Sequence, residues 1–520
     1  RPKSPFEVMS IVPAIFYSDH MNIFLFFTKR TLAIFVFAIF LSNQAYCANT
    51  TWKGPGSNWR SSANWTGGAI PTASDVAIFS GNTNPATISI GGNSSIQRVT
   101  LDSTAQNYTI QNNSTLVDTT LTFSSNLGSS IYNGSDTATI TFNKIGTGGK
   151  KLSIVLTATV PDTIFVAGNG ALAGATIVIG SDISGNVPVN ITGNSTTNAI
   201  IILSGSNSWT GDTTVGSFSL VSPRSQTLKL GASEVIPNGV GKGNLTVASG
   251  LSDLNTFSET VNGLSGAGNI DTVAGGTPTL TVGDNNATGF SYAGVIQNTA
   301  GALNLTKIGT GTQVFSGANT YTGTTTINAG TLEVNNDGAS TFGRITGSAA
   351  ANSIVVNTGG TLLLGGAGTT DRINNVAGIT LAGGTILKGS GASEGSASTA
   401  GMGLLTLSNN STLDFGTGAV GVMTFANFAP AGGTLLTINN WTGMPNTVGD
   451  ATTDRLIFNS DQTANLSQFS FTGYDPANTQ IDLMNGYFEI VPVPEPSTVA
   501  LGVIGGLAFI GTALRRRFKK

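Results

Sequence analysis

The sequence predicts an all-β chain whose body is a right-handed parallel β-helix, a β-solenoid, and three observations carry that expectation. Of 520 residues, 69 are Gly and only 9% are charged, against about a quarter in an ordinary globular chain. β-branched and apolar positions recur between Gly-rich turns, a regularity that disordered tracts lack. Finally, long stretches repeat one another, and short Thr-led apolar runs return at intervals of twenty to thirty residues.

The chain opens with Arg1, and Met21 is the better start. From Met21 the order is Lys29 and Arg30, an apolar core over residues 31–41, then small and polar residues to Ala45, Cys47 and Ala48. That is the order of a secretory signal peptide, which assigns residues 1–48 to an over-extended start plus signal. The apolar core is shorter than the roughly 20 residues a membrane span needs. Cleavage after Cys47 puts Ala45 and Cys47 at the small-residue positions, and cleavage after Ala48 fits almost equally. A lipid-anchored Cys47 is the alternative, although Tyr46 before it is bulky.

Residues 49–140 read as a Trp-rich N-terminal β cap. Trp52, Trp59 and Trp65 are followed by Pro71, Asp75 and Phe79, in a spacing that resembles the opening of other secreted repeat proteins. Every solenoid needs a cap on its first coil, and the triplet serves as that cap. The functional alternative is a platform on which sugars stack.

Residues 141–400 read as the solenoid proper. "LSGSNSWTGDTTV" at 203–215 and "FSGANTYTGTTTI" at 315–327 align without a gap, Trp209 being replaced by Tyr321. "FNKIGTGGKKLSI" from Phe142 is echoed by "LTKIGTGTQVFSG" from Leu305. Small-Thr-aliphatic triplets centred on Thr331, Thr361, Thr385, Thr412 and Thr434 lie 30, 24, 27 and 22 residues apart. One coil cannot bury its inward Leu, Val and Ile alone, so coils stack to make the core. An array of β-sandwiches is the competing architecture.

The best repeat, residues 305–336, resembles the passenger-associated autotransporter β-strand repeat. "ILSGSNSWTGDTTV" with "LKLGASEVIP" looks like a diverged copy, and residues 256–297 are similar to the stretch that links such repeats. The resemblance covers about residues 200–340 and implies an extracellular β-helical stalk. The chain departs from autotransporters at its end, where it has an apolar segment in place of the strands of a membrane barrel.

Residues 401–490 carry more aromatics and read as a C-terminal β module, sandwich-like or capping. Pro494, Glu495 and Pro496 come next, then an apolar run over residues 497–514, then Arg515, Arg516, Arg517, Lys519 and Lys520. As a helix the run is about 27 Å long, enough for a single transmembrane helix, with the basic end held inside. The order over residues 493–520 resembles the PEP-CTERM sorting signal. That resemblance implies transient anchoring in the inner membrane, cleavage near Pro494–Pro496 by an exosortase-like enzyme, and release to the cell surface. A permanent anchor is the alternative.

Little in the body points to chemistry. His20 and Cys47, the single residues of their kinds, both precede residue 49, so His- or Cys-based nucleophile systems and zinc sites are not expected in the mature chain. Residues 49–496 hold 14 Lys+Arg and 24 Asp+Glu, a balance of 14 − 24 = −10, which argues against nucleic acid. "GTGAVG" at 416–421 matches the dinucleotide glycine pattern but lies between strand-like runs. "GTGGKK" at 146–151 lacks the Ser/Thr of a phosphate loop. "DNNATG" at 284–289 has one carboxylate where calcium loops use several. Asp371-Arg372 and Asp454-Arg455 remain as carboxylate candidates for a polysaccharide lyase or hydrolase, or as surface ion pairs. Glycoside cleavage needs two carboxylates about 5 to 9.5 Å apart, and no such pair is visible. The expectation is a non-enzymatic exported surface or matrix protein without cofactor or metal, with extracellular polysaccharide as a partner to test. The alternatives are a β-helical polysaccharide-active enzyme and a carbohydrate-binding surface protein.

Overall fold

The computed structural model describes residues 48–493, except 55, 82–86, 125–128, 136, 147, 158–161, 167–174, 194–198, 217–225, 336–353, 370–371, 397–400, 476–478 and 485. The signal segment with Ala45 and Cys47, the Pro494–Pro496 triplet, the apolar run 497–514 and the basic end therefore lie outside the described residues. Within them no helix is long and apolar enough to cross a membrane.

The chain winds through three strand-bearing faces in fixed order. One turn runs from Asp162–Val166 on the first face to Thr176–Ile179 on the second and Asp182–Gly185 on the third. It then returns to the first at Val189–Gly193, paired in parallel with the strand where the turn began. Repetition of this path joins 17 strands into the first sheet, from Asn49–Trp52 to Phe469–Phe471. The second face is an eight-stranded sheet from Thr87–Ser89 to Asn269–Asp271. The third carries a four-stranded sheet, Ser94–Ile96 to Asp182–Gly185, then an eleven-stranded one that opens at Glu259–Val261. Between these two the third face has no regular strands, but the N–H groups of Ser208 and Thr210 still donate to the carbonyls of Ile183 and Gly185 at 2.8 and 3.1 Å.

This parallel pairing decides against the β-sandwich array, whose sheets are antiparallel. The alternating strands dictate it. On the first face Leu332, Leu362, Ile386, Leu413, Ile438 and Phe471 stack inward in one row, and all are buried. Ile140, Ile177, Ile201 and Leu228 do the same on the second. Each such side chain contributes about 1.5–3 kcal/mol when buried, and only the neighbouring coils can bury it. The outward row over the same first-face strands is Thr312, Thr331, Thr361, Thr385, Thr412 and Thr437. Thr stiffens the strand and keeps a hydroxyl in water, so the solvated face needs few charges.

The triplet spacing marks register well but slips once. Thr331, Thr361, Thr385 and Thr412 are direct partners, whereas Thr412 pairs with Thr437 and not with Thr434. Gly433 turns the chain with φ +79°, Thr434 Oγ1 donates to the carbonyl of Ala431 at 2.7 Å, and Leu436 becomes the inward residue. A β-turn over residues 431–434, closed by the Thr434 N–H donating to the Ala431 carbonyl at 3.2 Å, thus takes up the start of the last triplet.

Strand pairing runs across the boundaries expected at 140/141 and 400/401. Thr139–Phe142 straddles the first and pairs with strands on both sides. Met402–Asn409, just beyond the second, pairs in parallel with Ile379–Ala382 and Val422–Pro430. The strands from Met402–Asn409 to Phe469–Phe471 thus continue the parallel ladders. Only the last part of the 401–490 segment differs: Thr479–Met484 and Tyr487–Pro492 form an antiparallel hairpin that covers the edge strand Arg455–Phe458. An uncovered edge would offer its backbone to another chain.

Candidate functional site

The two best repeat copies show what the motif does. In the first, the chain leaves the second face at Leu203 and reaches the first at Thr213–Val215. In the second, it leaves the first face at Phe315 and reaches the third at Thr325–Ile327. The same residues therefore turn different corners of the coil, and their contacts match. Trp209 and Tyr321 are both fully buried; Trp209 Nε1 donates to Thr213 Oγ1 at 2.9 Å, and the Tyr321 hydroxyl meets Thr325 Oγ1 at 2.7 Å. Asn207 Oδ1 accepts the N–H of Ile183 at 2.8 Å, and Asn319 Oδ1 that of Ile296 at 2.9 Å, each on the preceding coil. Gly205 and Gly317 sit so close to the previous coil that a Cβ would collide with the carbonyls of Ser181 and Gly294. The motif is a stacking device: an aromatic plug, an amide clip and a glycine for close approach.

Gly317→Ala is accordingly expected to destabilise the adjoining coils by about 3 kcal/mol, while Gly432→Ala, with open space around its Cβ position, leaves the unfolding midpoint nearly unchanged. Denaturant titration of the two variants checks the contrast.

The three N-terminal tryptophans lie in the interior. Trp52, Trp59 and Trp65 are 1%, 0% and 0% exposed. Trp65 meets each of the other two edge-on at 4.9 Å, Phe79 packs against all three, and Trp65 Nε1 donates to the Trp59 carbonyl at 2.7 Å. Residues 64–66 cover the open edge of Asn49–Trp52: Trp52 bridges Trp65, and the N–H of Lys53 donates to the Asn64 carbonyl at 2.9 Å. Stacking of a sugar needs an exposed indole face, and none of the three has one.

Most of the unexpected chemistry is inside. Arg372 is fully buried and faces Glu394, Nη1 to Oε2 3.6 Å, while also donating to the carbonyls of Gly365, Gly366 and Ser393. Its sequence neighbour Asp371 lies outside the described residues. Asp454 and Arg455 do not pair with each other: Asp454 faces Lys388 at 3.6 Å, and Arg455 Nη2 meets Glu489 Oε2 at 3.0 Å. All four groups are buried, so the expectation of surface ion pairs is corrected. A carboxylate in this interior lacks the solvent path that hydrolysis of a polymer requires. Glu394, Glu489 and Lys388 escaped the reading of the sequence, although "TILK" at 385–388 carries a signal: alternation puts Lys388 on the same side as Ile386.

Glu259 and Lys307 are also buried, neither with a counter-ion among the described residues. Glu259 accepts the N–H groups of Val235 and Ile236 at 3.0 and 2.7 Å. Burial pushes its carboxyl up to about 8, nearby Glu234 adds to this, and the two amides oppose it. Lys307 donates to the carbonyls of Ile308, Gly309 and Ala329, and burial pulls its amine down to about 8. The two act in opposite senses. Glu259 binds its proton more tightly folded than unfolded, so its stabilisation is complete below about 4.5 and is lost as pH rises through about 8. Lys307 stabilises above about 10.5 and loses this as pH falls through about 8. Their joint contribution is smallest near pH 8. A pH series of denaturation midpoints is expected to fall from acid to about pH 8 and then recover. Glu259→Gln should flatten the first limb and Lys307→Met the second.

The remaining motifs are turns. "GTGAVG" at 416–421 links Ser411–Asp414 to Val422–Pro430, and "GTGGKK" links Thr139–Phe142 to Leu152–Leu156. In "DNNATG" the side-chain carbonyls of Asn285 and Asn286 accept the N–H groups of Ala287 and Thr310. Among the described residues no three His, Cys, Asp or Glu come together as a metal-ion cluster.

Comparison with known proteins agrees with the repeat geometry over a limited span. No curated protein and no solved structure matches the chain. The family model of the passenger-associated-transport-repeat matches residues 200–217 and 305–334, the two segments whose aromatic plug, amide clip and close-approach glycine superpose in kind, so the chain carries two copies of that repeat.

Proposed function

We propose that this chain is an exported, non-enzymatic structural or adhesive protein of the cell surface or extracellular matrix, with the solenoid as its working part. The observation that carries the reading is the pair of passenger-associated repeats built into an uninterrupted parallel ladder, because such repeats belong to extended passengers displayed outside the cell. The interior positions of Arg372, Asp454 and Arg455 support a scaffold over a polysaccharide lyase or hydrolase. The ends complete the proposal. A signal peptide cleaved near Ala45–Ala48 directs export, the helix 497–514 with Arg515, Arg516, Arg517, Lys519 and Lys520 anchors an inner-membrane intermediate, and an exosortase-like enzyme cuts near Pro494-Glu495-Pro496. Extracellular polysaccharide is the proposed partner; the acidic body disfavours nucleic acid.

Intact-mass measurement on chain recovered from cell-surface material tests this. The expected product starts near Ala48 and ends near Pro494–Pro496. A chain still ending at Lys520 would overturn release by cleavage, and recovery only from cytoplasm would overturn export. Depolymerisation of polysaccharide by the purified body, lost in Asp454→Ala folded as wild type, would overturn the non-enzymatic reading.

A further inference from the structure

Of the ion pairs among the described residues, one has the makings of a covalent bond. Lys144 and Asp182 form a solvated pair, their side chains 31% and 28% exposed. The Arg372–Glu394 and Arg455–Glu489 pairs are buried, but a guanidinium stays protonated and is no nucleophile. Lys388 and Asp454 alone set an amine against a carboxyl group in the interior, with side chains 1% and 2% exposed and Nζ 3.6 Å from Oδ1.

We propose that Lys388 and Asp454 condense to an intramolecular isopeptide bond that ties the first-face strand Thr385–Lys388 to the start of the third-face strand Arg455–Phe458. The arrangement favours each part of the step. Burial holds the Lys388 amine below its ordinary range, opposed by the charge of Asp454, and a buried ion pair can relieve its desolvation by proton transfer to amine and acid. The carboxyl group is fixed and polarised: the Gly421 N–H donates to Oδ1 at 2.8 Å and the Thr442 hydroxyl to Oδ2 at 2.6 Å. The amine is fixed by the carbonyls of Ala419 and Gly389 at 2.8 and 3.2 Å.

The step balances without redox chemistry. The nitrogen lone pair adds to Cγ of the acid, and charge developing on Oδ1 falls on the Gly421 N–H, as in an oxyanion hole. Nitrogen then loses a proton, Oδ2 takes it through the Thr442 hydroxyl, and the Cγ–Oδ2 bond breaks to release one water. The amide that remains keeps one N–H, which the Ala419 carbonyl can accept. Exclusion of bulk water opposes the reverse reaction.

The test is the mass of the folded full-length chain and its tryptic map. Between Arg372 and Arg455 the only cleavage point for trypsin is Lys388, and acylation of its amine blocks that point. The expected result is one peptide, residues 373–455, lighter than its sequence by one water. Separate peptides 373–388 and 389–455 at full mass would overturn the proposal in the wild-type chain, with no variant needed. Lys388→Arg retains the positive charge, restores cleavage and is expected to restore full mass. A water loss that persists in Lys388→Arg would place it on another group, such as an aspartyl succinimide, and would equally overturn the assignment. Thr442→Val is expected to lower the fraction of cross-linked chain at a fixed time after synthesis.

Discussion

Replacing Arg372 by methionine is expected to lower the stability of the C-terminal coils by about 3–5 kcal/mol, the cost of leaving one member of a buried pair alone. The guanidinium does two jobs: it neutralises Glu394, which is itself fully buried, and it satisfies the carbonyls of Gly365, Gly366 and Ser393. Glu394 in turn accepts the backbone N–H groups of Arg372 and Ile373, each at 3.1 Å. Methionine fills most of the space but leaves a carboxylate without its counter-charge. Arg372→Met combined with Glu394→Gln is expected to recover part of the loss, because the amide oxygen still accepts one of those N–H groups and carries no charge. Amide hydrogen exchange resolves the effect coil by coil, as a solenoid unfolds through neighbour interactions; loss confined to residues around 360–400 is the expected signature. Uniform loss along the chain, or none, would contradict the local role.

Trp65→Ala is expected to cost about 3–5 kcal/mol, the usual range for removing a large aromatic from a core, and to act at the other end. Trp65 joins Trp52, Trp59 and Phe79 and holds the segment that covers the first edge strand. Without it the edge Asn49–Trp52 loses its cover, so hydrogen exchange should accelerate in the first coils and concentration-dependent aggregation should rise. Trp441→Ala, at a half-buried site against Phe471, is expected to cost less. If Trp65→Ala instead kept native exchange rates and lost binding to a polysaccharide, the capping role would be wrong and the sugar platform right.

The two sites differ in how far the sequence alone reaches them. The tryptophan spacing raises the expectation of an N-terminal cap because a first coil has no neighbour to bury its inward side chains, and the burial of all three indoles agrees with an interior role. The charges were not legible in the same way. Asp454 and Arg455 are adjacent in sequence, and adjacency suggests a pair, yet neighbouring residues of a strand point to opposite faces or diverge at its first turn. Their partners, Lys388 and Glu489, lie 66 and 34 residues away by subtraction of the residue numbers. Nothing local encodes that distance, because the length of each coil depends on its loops.

The sequence by itself determined that the body is built of β-strands, that one unit recurs, and that Leu, Val and Ile at alternate strand positions face inward, since alternation and glycine placement are local properties of the backbone. It also carried the repeat resemblance that the family model matches over residues 200–217 and 305–334. Tertiary structure alone decided the register. Loops of unequal length bring successive strands into line, so that Thr412 meets Thr437 in place of Thr434, the two repeat copies turn different corners, and Lys388 arrives opposite Asp454. Stacking energy is summed over whole coils, whereas sequence pattern is written strand by strand; which residues become neighbours is fixed only when the coils close on one another.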